Sequence, residues 1–141
     1  MSELTATLDL PLGAEAPAAA RRVVSAVLFG WGFREENWTH AATVVVSELV
    51  TNAVQHGGGC VALTVESHDG RVLLRVADGS SVVPRPRDPD ETGGRGLAVI
   101  EALSTGWGVD DYQGGKRVWV ELESYPGRPQ GSAGSARDDR D

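Results

Sequence analysis

The chain is poor in the features that would send it out of the cell, into a membrane or onto nucleic acid. Its one cysteine, Cys60 in 141 residues, excludes an internal disulfide framework, so a reducing cytoplasm is the natural setting. Cys60 lies in a strand-like run and reads as a small buried hydrophobe. No apolar run approaches the roughly 20 residues of a membrane span. The start, MSELTATLDL, lacks a basic region followed by an apolar core, and no signal peptide is expected. Basic residues are scarce: 13 Lys and Arg stand against 20 Asp and Glu, a net charge of -7. That balance argues against a phosphate-backbone binder, which needs a basic face, and against docking on an anionic bilayer. It does not exclude a nucleotide, which main-chain amides and magnesium can hold. Lys116 is the only lysine, a bias that fits GC-rich coding. Aromatics make up 6%, and Trp31, Trp38, Trp107 and Trp119 read as core or partner-facing bulk.

What is present suits one globular domain with a sizeable core: 40% of the residues are hydrophobic and 23% charged. Leu4, Ala6, Leu8 and Leu10 alternate with polar residues and predict an opening strand, ended by Pro11 and Gly13. A first helix is expected from Glu15 to Phe29, with Val23, Val24, Val27 and Leu28 inward. Gly30 and Gly32 break it. A second runs from Glu35 to His56 and stops at Gly57, Gly58 and Gly59. Val61, Leu63 and Val65, then Val72, Leu74 and Val76, alternate in two strands joined at His68-Asp69-Gly70. Asp78 to Gly94 is rich in Pro, Asp, Ser and Gly and reads as a loop or lid. Arg85, Arg87, Asp88, Asp90 and Glu91 would form its solvated face. A short helix from Gly96 to Leu103 and strands over Thr105–Tyr112 and Arg117–Glu123 complete a domain of residues 1–124. The polar tail, 125–141, is expected to be disordered. The hairpin connections predict an α+β two-layer sandwich, its sheet mixed to antiparallel, with helices on one face.

Three short motifs carry candidate chemistry. In Ser47-Glu48-Leu49-Val50-Thr51-Asn52-Ala53-Val54-Gln55-His56-Gly57, Glu48 and Asn52 stand one turn apart, beside Val45 and Ala41 at the margin of the apolar stripe. Asn52 offers an amide oxygen suited to magnesium, and Glu48 a carboxylate able to take a proton. The same pair also fits a polar margin on an amphipathic helix. His56, a turn further on, reads as a dipole-favoured C-terminal residue. Val76-Ala77-Asp78-Gly79-Ser80 sets a carboxylate at a strand end, where it can accept from an exocyclic amino group while Gly79 permits close approach. Taken by itself, an ordinary Asp-Gly turn is the better explanation. Thr92-Gly93-Gly94-Arg95-Gly96-Leu97 opens a helix with bare N–H groups, a phosphate cradle to which Arg95 can add charge. It is neither a P-loop nor a dinucleotide fingerprint: no Gly-Lys-Ser/Thr follows, and Val99 stands at the third glycine position.

In this order the motifs resemble those of the ATPase superfamily of gyrase, heat-shock chaperone, histidine kinase and MutL. SELVTNAVQHG is similar to its asparagine box, VADGS to its first glycine box and GGRGLAVIEALS to its second. The compact chain resembles the anti-sigma factor serine/threonine kinases, especially the stand-alone actinobacterial members, over residues 4 to 123.

The resemblance implies ATP and Mg2+ as cofactors, Glu48 as general base and Asn52 as magnesium ligand. Asp78, with Gly79, would read adenine. Gly94 and Gly96 would contact phosphate, supported by Gly93, Arg95 and Leu97, and the segment 80–93 would be the ATP lid. It further implies a sigma factor or an anti-anti-sigma protein as partner, and a homodimer as a possible state. The chain departs from the family pattern at Gly115-Lys116-Arg117-Val118, where a threonine usually supports the adenine-binding Asp. It departs again after Asp78-Gly79, where a further glycine is missing. These departures keep a second function open: a nucleotide-gated module that sequesters a partner without phosphorylating it.

Overall fold

The computed structural model describes residues 3–10, 13–56, 61–78, 96–112 and 115–129, with the backbone alone at His56, Asp78, Leu97, Asp111 and Tyr112. Their order is β1 (Glu3–Leu10), α1 (Ala16–Gly30), α2 (Glu36–His56), β2 (Val61–His68), β3 (Arg71–Asp78), α3 (Gly96–Ala102), β4 (Ser104–Tyr112) and β5 (Gly115–Leu122). The glycines 57–59, Cys60, the lid segment 80–93 and the tail from residue 130 lie outside the described residues. No described helix is long and apolar enough to cross a membrane.

Each element follows from its local chemistry. Pro17 stands in the first turn of α1, where a missing N–H costs nothing. Ala16, Ala20, Val24 and Leu28 recur every fourth residue and are buried. α2 is capped by Glu35, whose Oε1 accepts from the Trp38 N–H at 2.7 Å. The β2–β3 hairpin turns on two residues, Asp69 at φ 55° and Gly70 at φ 85°. Two consecutive positive φ values match the twist of paired strands, and Asp-Gly is suited to them. His68, expected in the turn, still pairs with Arg71.

The strands form one five-stranded sheet in the order β1-β2-β3-β5-β4. Every pairing is antiparallel, which narrows the expected mixed-to-antiparallel sheet to its second form. One sheet face meets the helices. β2 buries Val61, Leu63, Val65 and Ser67 on it, β3 buries Val72, Leu74 and Val76, and β5 buries Val118, Val120 and Leu122. The opposite face is polar, with Thr7 beside Thr64 and a bidentate Arg75–Glu66 pair. There Trp119 lies over Gly108, where a Cβ would come within 2.7 Å of the indole nitrogen.

The core reaches past the expected boundary at residue 124. Tyr125, expected to open the tail, is 9% exposed. Its ring meets Phe33 and Trp38 edge-on, each at 5.0 Å. Its hydroxyl accepts from the Arg34 and Glu35 backbone N–H groups, both at 2.9 Å. The composition of the segment is tail-like, but one aromatic with a polar tip suffices to anchor it. Of the four tryptophans, Trp38 is buried, while Trp31 and Trp107 pack against the core from its rim.

Candidate functional site

α2 is the middle helix of the layer. From Ala41 to Val54 none of its residues is fully exposed, because α1 packs on one side and α3 on the other. The buried stripe is Trp38, Ala42, Val45, Val46, Leu49, Val50 and Ala53. At 100° per residue, Glu48 and Asn52 fall together on one margin of this stripe, in line with Asn37 and Ala41. Asn37 and Ala41 line a cleft of about 200 Å³ with Trp38, Ala42, Leu103 and Leu122. The margin carrying Glu48 and Asn52 is therefore the one turned toward α3. The other margin faces α1, where Ser47 Oγ accepts from Arg21 Nη1 at 2.9 Å. Glu48 and Asn52 are both half-buried, and their Cα atoms lie about 6 Å apart along the axis.

Connectivity and register place the end of β3, with Asp78, at the same end of the sandwich as the end of α2. Only positions 57–60 separate α2 from Val61 at the start of β2, a span of at most roughly 17 Å. The register sets the start of β2 beside the end of β3, with Ala62 opposite Ala77. It sets the end of β3 beside the start of β5, with Asp78 opposite Lys116. α3 closes on Leu103, against Asn37 and Trp38 at the far end of α2. Asp78 and Leu97 are placed by backbone only, and Gly79, Gly93, Gly94 and Arg95 lie outside the described residues.

The donor set suits a hard cation carried by a polyanion. Among the described residues no group of three or more His, Cys, Asp or Glu side chains could hold a metal. Asn52 offers one protein oxygen, and magnesium commonly takes one or two protein ligands plus phosphate oxygens and waters. One amide oxygen of this kind is compatible with a magnesium ion carried on a polyphosphate.

One residue at this end was passed over in the sequence except as a break in a familiar motif. Lys116 is in phase with Val118, Val120 and Leu122 on the helix-facing side of β5 and is 4% exposed. The signal was its alternation with the apolar residues of that strand. The titratable cluster on the outer sheet face is separate from this site. There the Glu66 carboxylate is held below its usual range, chiefly by the hydrogen bond from Arg75. His68 is raised, chiefly by its bond to Glu66 and then by Glu3.

The sequence model of the histidine kinase-like ATPase domain family matches residues 10–122, nearly the whole of the described fold. No curated protein matches the chain.

Proposed function

The chain belongs to the histidine kinase-like ATPase domain family, and from that membership we propose that it binds ATP with Mg2+ and acts as a cytoplasmic anti-sigma factor with serine/threonine kinase activity toward an anti-anti-sigma partner. The observation that carries this proposal is the half-buried Glu48–Asn52 pair on the α3-facing margin of α2. Half-buried, each keeps its polar end within reach of a ligand in the groove toward α3. The end of β3, where Asp78 lies, falls at the same end of the sandwich as the end of α2, which supports this reading.

In this mechanism Asn52 would hold the magnesium, which when bound would neutralise phosphate charge. The backbone N–H groups opening α3 at Gly96 would face phosphate oxygens. Asp78 would accept from the exocyclic amino group of adenine. Glu48 would receive the proton of a partner serine hydroxyl as its oxygen bonds to the terminal phosphorus and the bridging P–O bond to ADP breaks. The protein's part is positioning and charge stabilisation.

A second reading is a nucleotide-gated binding module without transfer. It is supported by Gly115-Lys116-Arg117-Val118, which lacks the threonine usual in the family pattern. Titration calorimetry with ATP, with and without Mg2+, tests the common premise. Magnesium-dependent binding that is lost in Asn52→Ala is expected; unchanged affinity in that variant counts against the site. Incubation with labelled ATP and a candidate antagonist then separates kinase from module.

A further inference from the structure

On the helix-facing side of β5, Lys116 continues the buried series Val118, Val120, Leu122. The ladder sets Asp78 of β3 opposite it on one side and Asp111 of β4 opposite it on the other. Directly opposite residues of antiparallel strands share a face, with Cβ atoms about 5 Å apart. The only lysine of the chain thus occupies the middle of a rung with an acidic residue at each end. Among the described residues it is the one buried charged side chain. Lysine is almost never so deeply covered unless it is paired.

We infer that Lys116 is a positioning residue for nucleobase recognition, acting on Asp78 from the middle of the rung that it shares with Asp78 and Asp111. The inference rests on the ATP-binding proposal above and extends it to a residue outside the three motifs. An ammonium has three donors and no acceptor. It can bond both carboxylates at once and cannot draw the amino group of the base, itself a donor, away from Asp78. It also offsets the repulsion of two acids on one rung. Asp111 stands opposite Lys116 on the other neighbouring strand, so its removal should act in the same sense as removal of the lysine.

The test compares two nucleotides on the full chain by calorimetry with Mg2+: ATP, and purine riboside triphosphate, which lacks the amino group. The wild-type protein is expected to prefer ATP. Lys116→Met should weaken ATP binding roughly tenfold or more, the scale of a charge-assisted hydrogen bond. It should leave the analogue within about twofold, so that the preference collapses. Asp111→Asn should move the preference the same way, and Lys116→Met should have no further effect on ATP in an Asp78→Asn background. Removing one member of a buried ion pair is usually destabilising, so the fold of Lys116→Met is checked first. Should Lys116→Met fail to fold in a thermal melt, Asp111→Asn carries the same comparison. A preference that survives these variants, or equal loss for both nucleotides, overturns the inference while leaving ATP binding intact. A wild-type protein that binds neither nucleotide overturns the ATP-binding proposal and the inference with it.

Discussion

Tyr125→Phe tests whether the chain after β5 is part of the folded domain. The substitution keeps the ring and its edge-on contacts with Phe33 and Trp38. It removes one oxygen, which accepts from the N–H groups of Arg34 and Glu35. A buried donor left unsatisfied costs about 1–3 kcal/mol. These bonds are only part-buried, so the lower figure applies to each, and the loss should be about 2 kcal/mol. For a domain of this size that lowers Tm by about 6–10 °C. Urea unfolding followed by tryptophan fluorescence, with Trp38 as the adjacent reporter, should show a lower midpoint at unchanged slope. Tyr125→Ala should lose about 3 kcal/mol more, through the cavity it opens. A chain ending at residue 124 should behave like Tyr125→Ala, and one ending at 129 like the full chain. If Tyr125→Phe lies within about 0.5 kcal/mol of wild type, the range of an ordinary surface change, the reasoning fails.

Glu48→Ala should keep magnesium-dependent ATP binding while phosphoryl transfer to the antagonist falls about 10²–10⁴-fold; full phosphorylation by this variant would refute the general-base role. Gly108→Ala should destabilise by about 1–3 kcal/mol, because the new methyl group would meet Trp119 at 2.7 Å, and an unchanged melting curve would show that the indole moves freely. His68 is raised above its ordinary 6.5, so its stabilising contribution is full below that pH and fades as pH rises through the folded value. The stability gap between wild type and His68→Gln should therefore be wider at pH 5.5 than at pH 9, and a constant gap would contradict the pairing. Glu66 has the opposite sign: its contribution is present above its ordinary 4.5 and is lost as pH falls through its depressed value. Measurements at or above pH 5.5 thus isolate the histidine.

Much of the fold was legible because its periods are clean. Val61, Leu63 and Val65 alternate against Val72, Leu74 and Val76, and Asp69-Gly70 supplies the positive φ values between them. Of the residues expected inward in α1, Val24 and Leu28 are buried, and Ala16 and Ala20 continue their stripe. Glu48 and Asn52 stood out because polar residues interrupt the margin of an apolar helix. Tyr125 did not, because neighbouring Gly, Pro and Ser mask a single anchoring ring. Lys116 did not either, because a charged residue in a strand reads as solvent-facing until its phase with Val118 and Val120 is compared with the register of two neighbouring strands.

By itself the sequence determined which segments become helix and strand, which side of each is apolar, and which residues bear metal-capable or proton-accepting groups. These are properties of spacing along one chain, set by the periods of 3.6 and 2. Which margin of α2 faces α3, which strands flank β5 and which acids share a rung with Lys116 were decided only in the tertiary structure. Those relations depend on how distant segments dock and register against one another, and no local period encodes them.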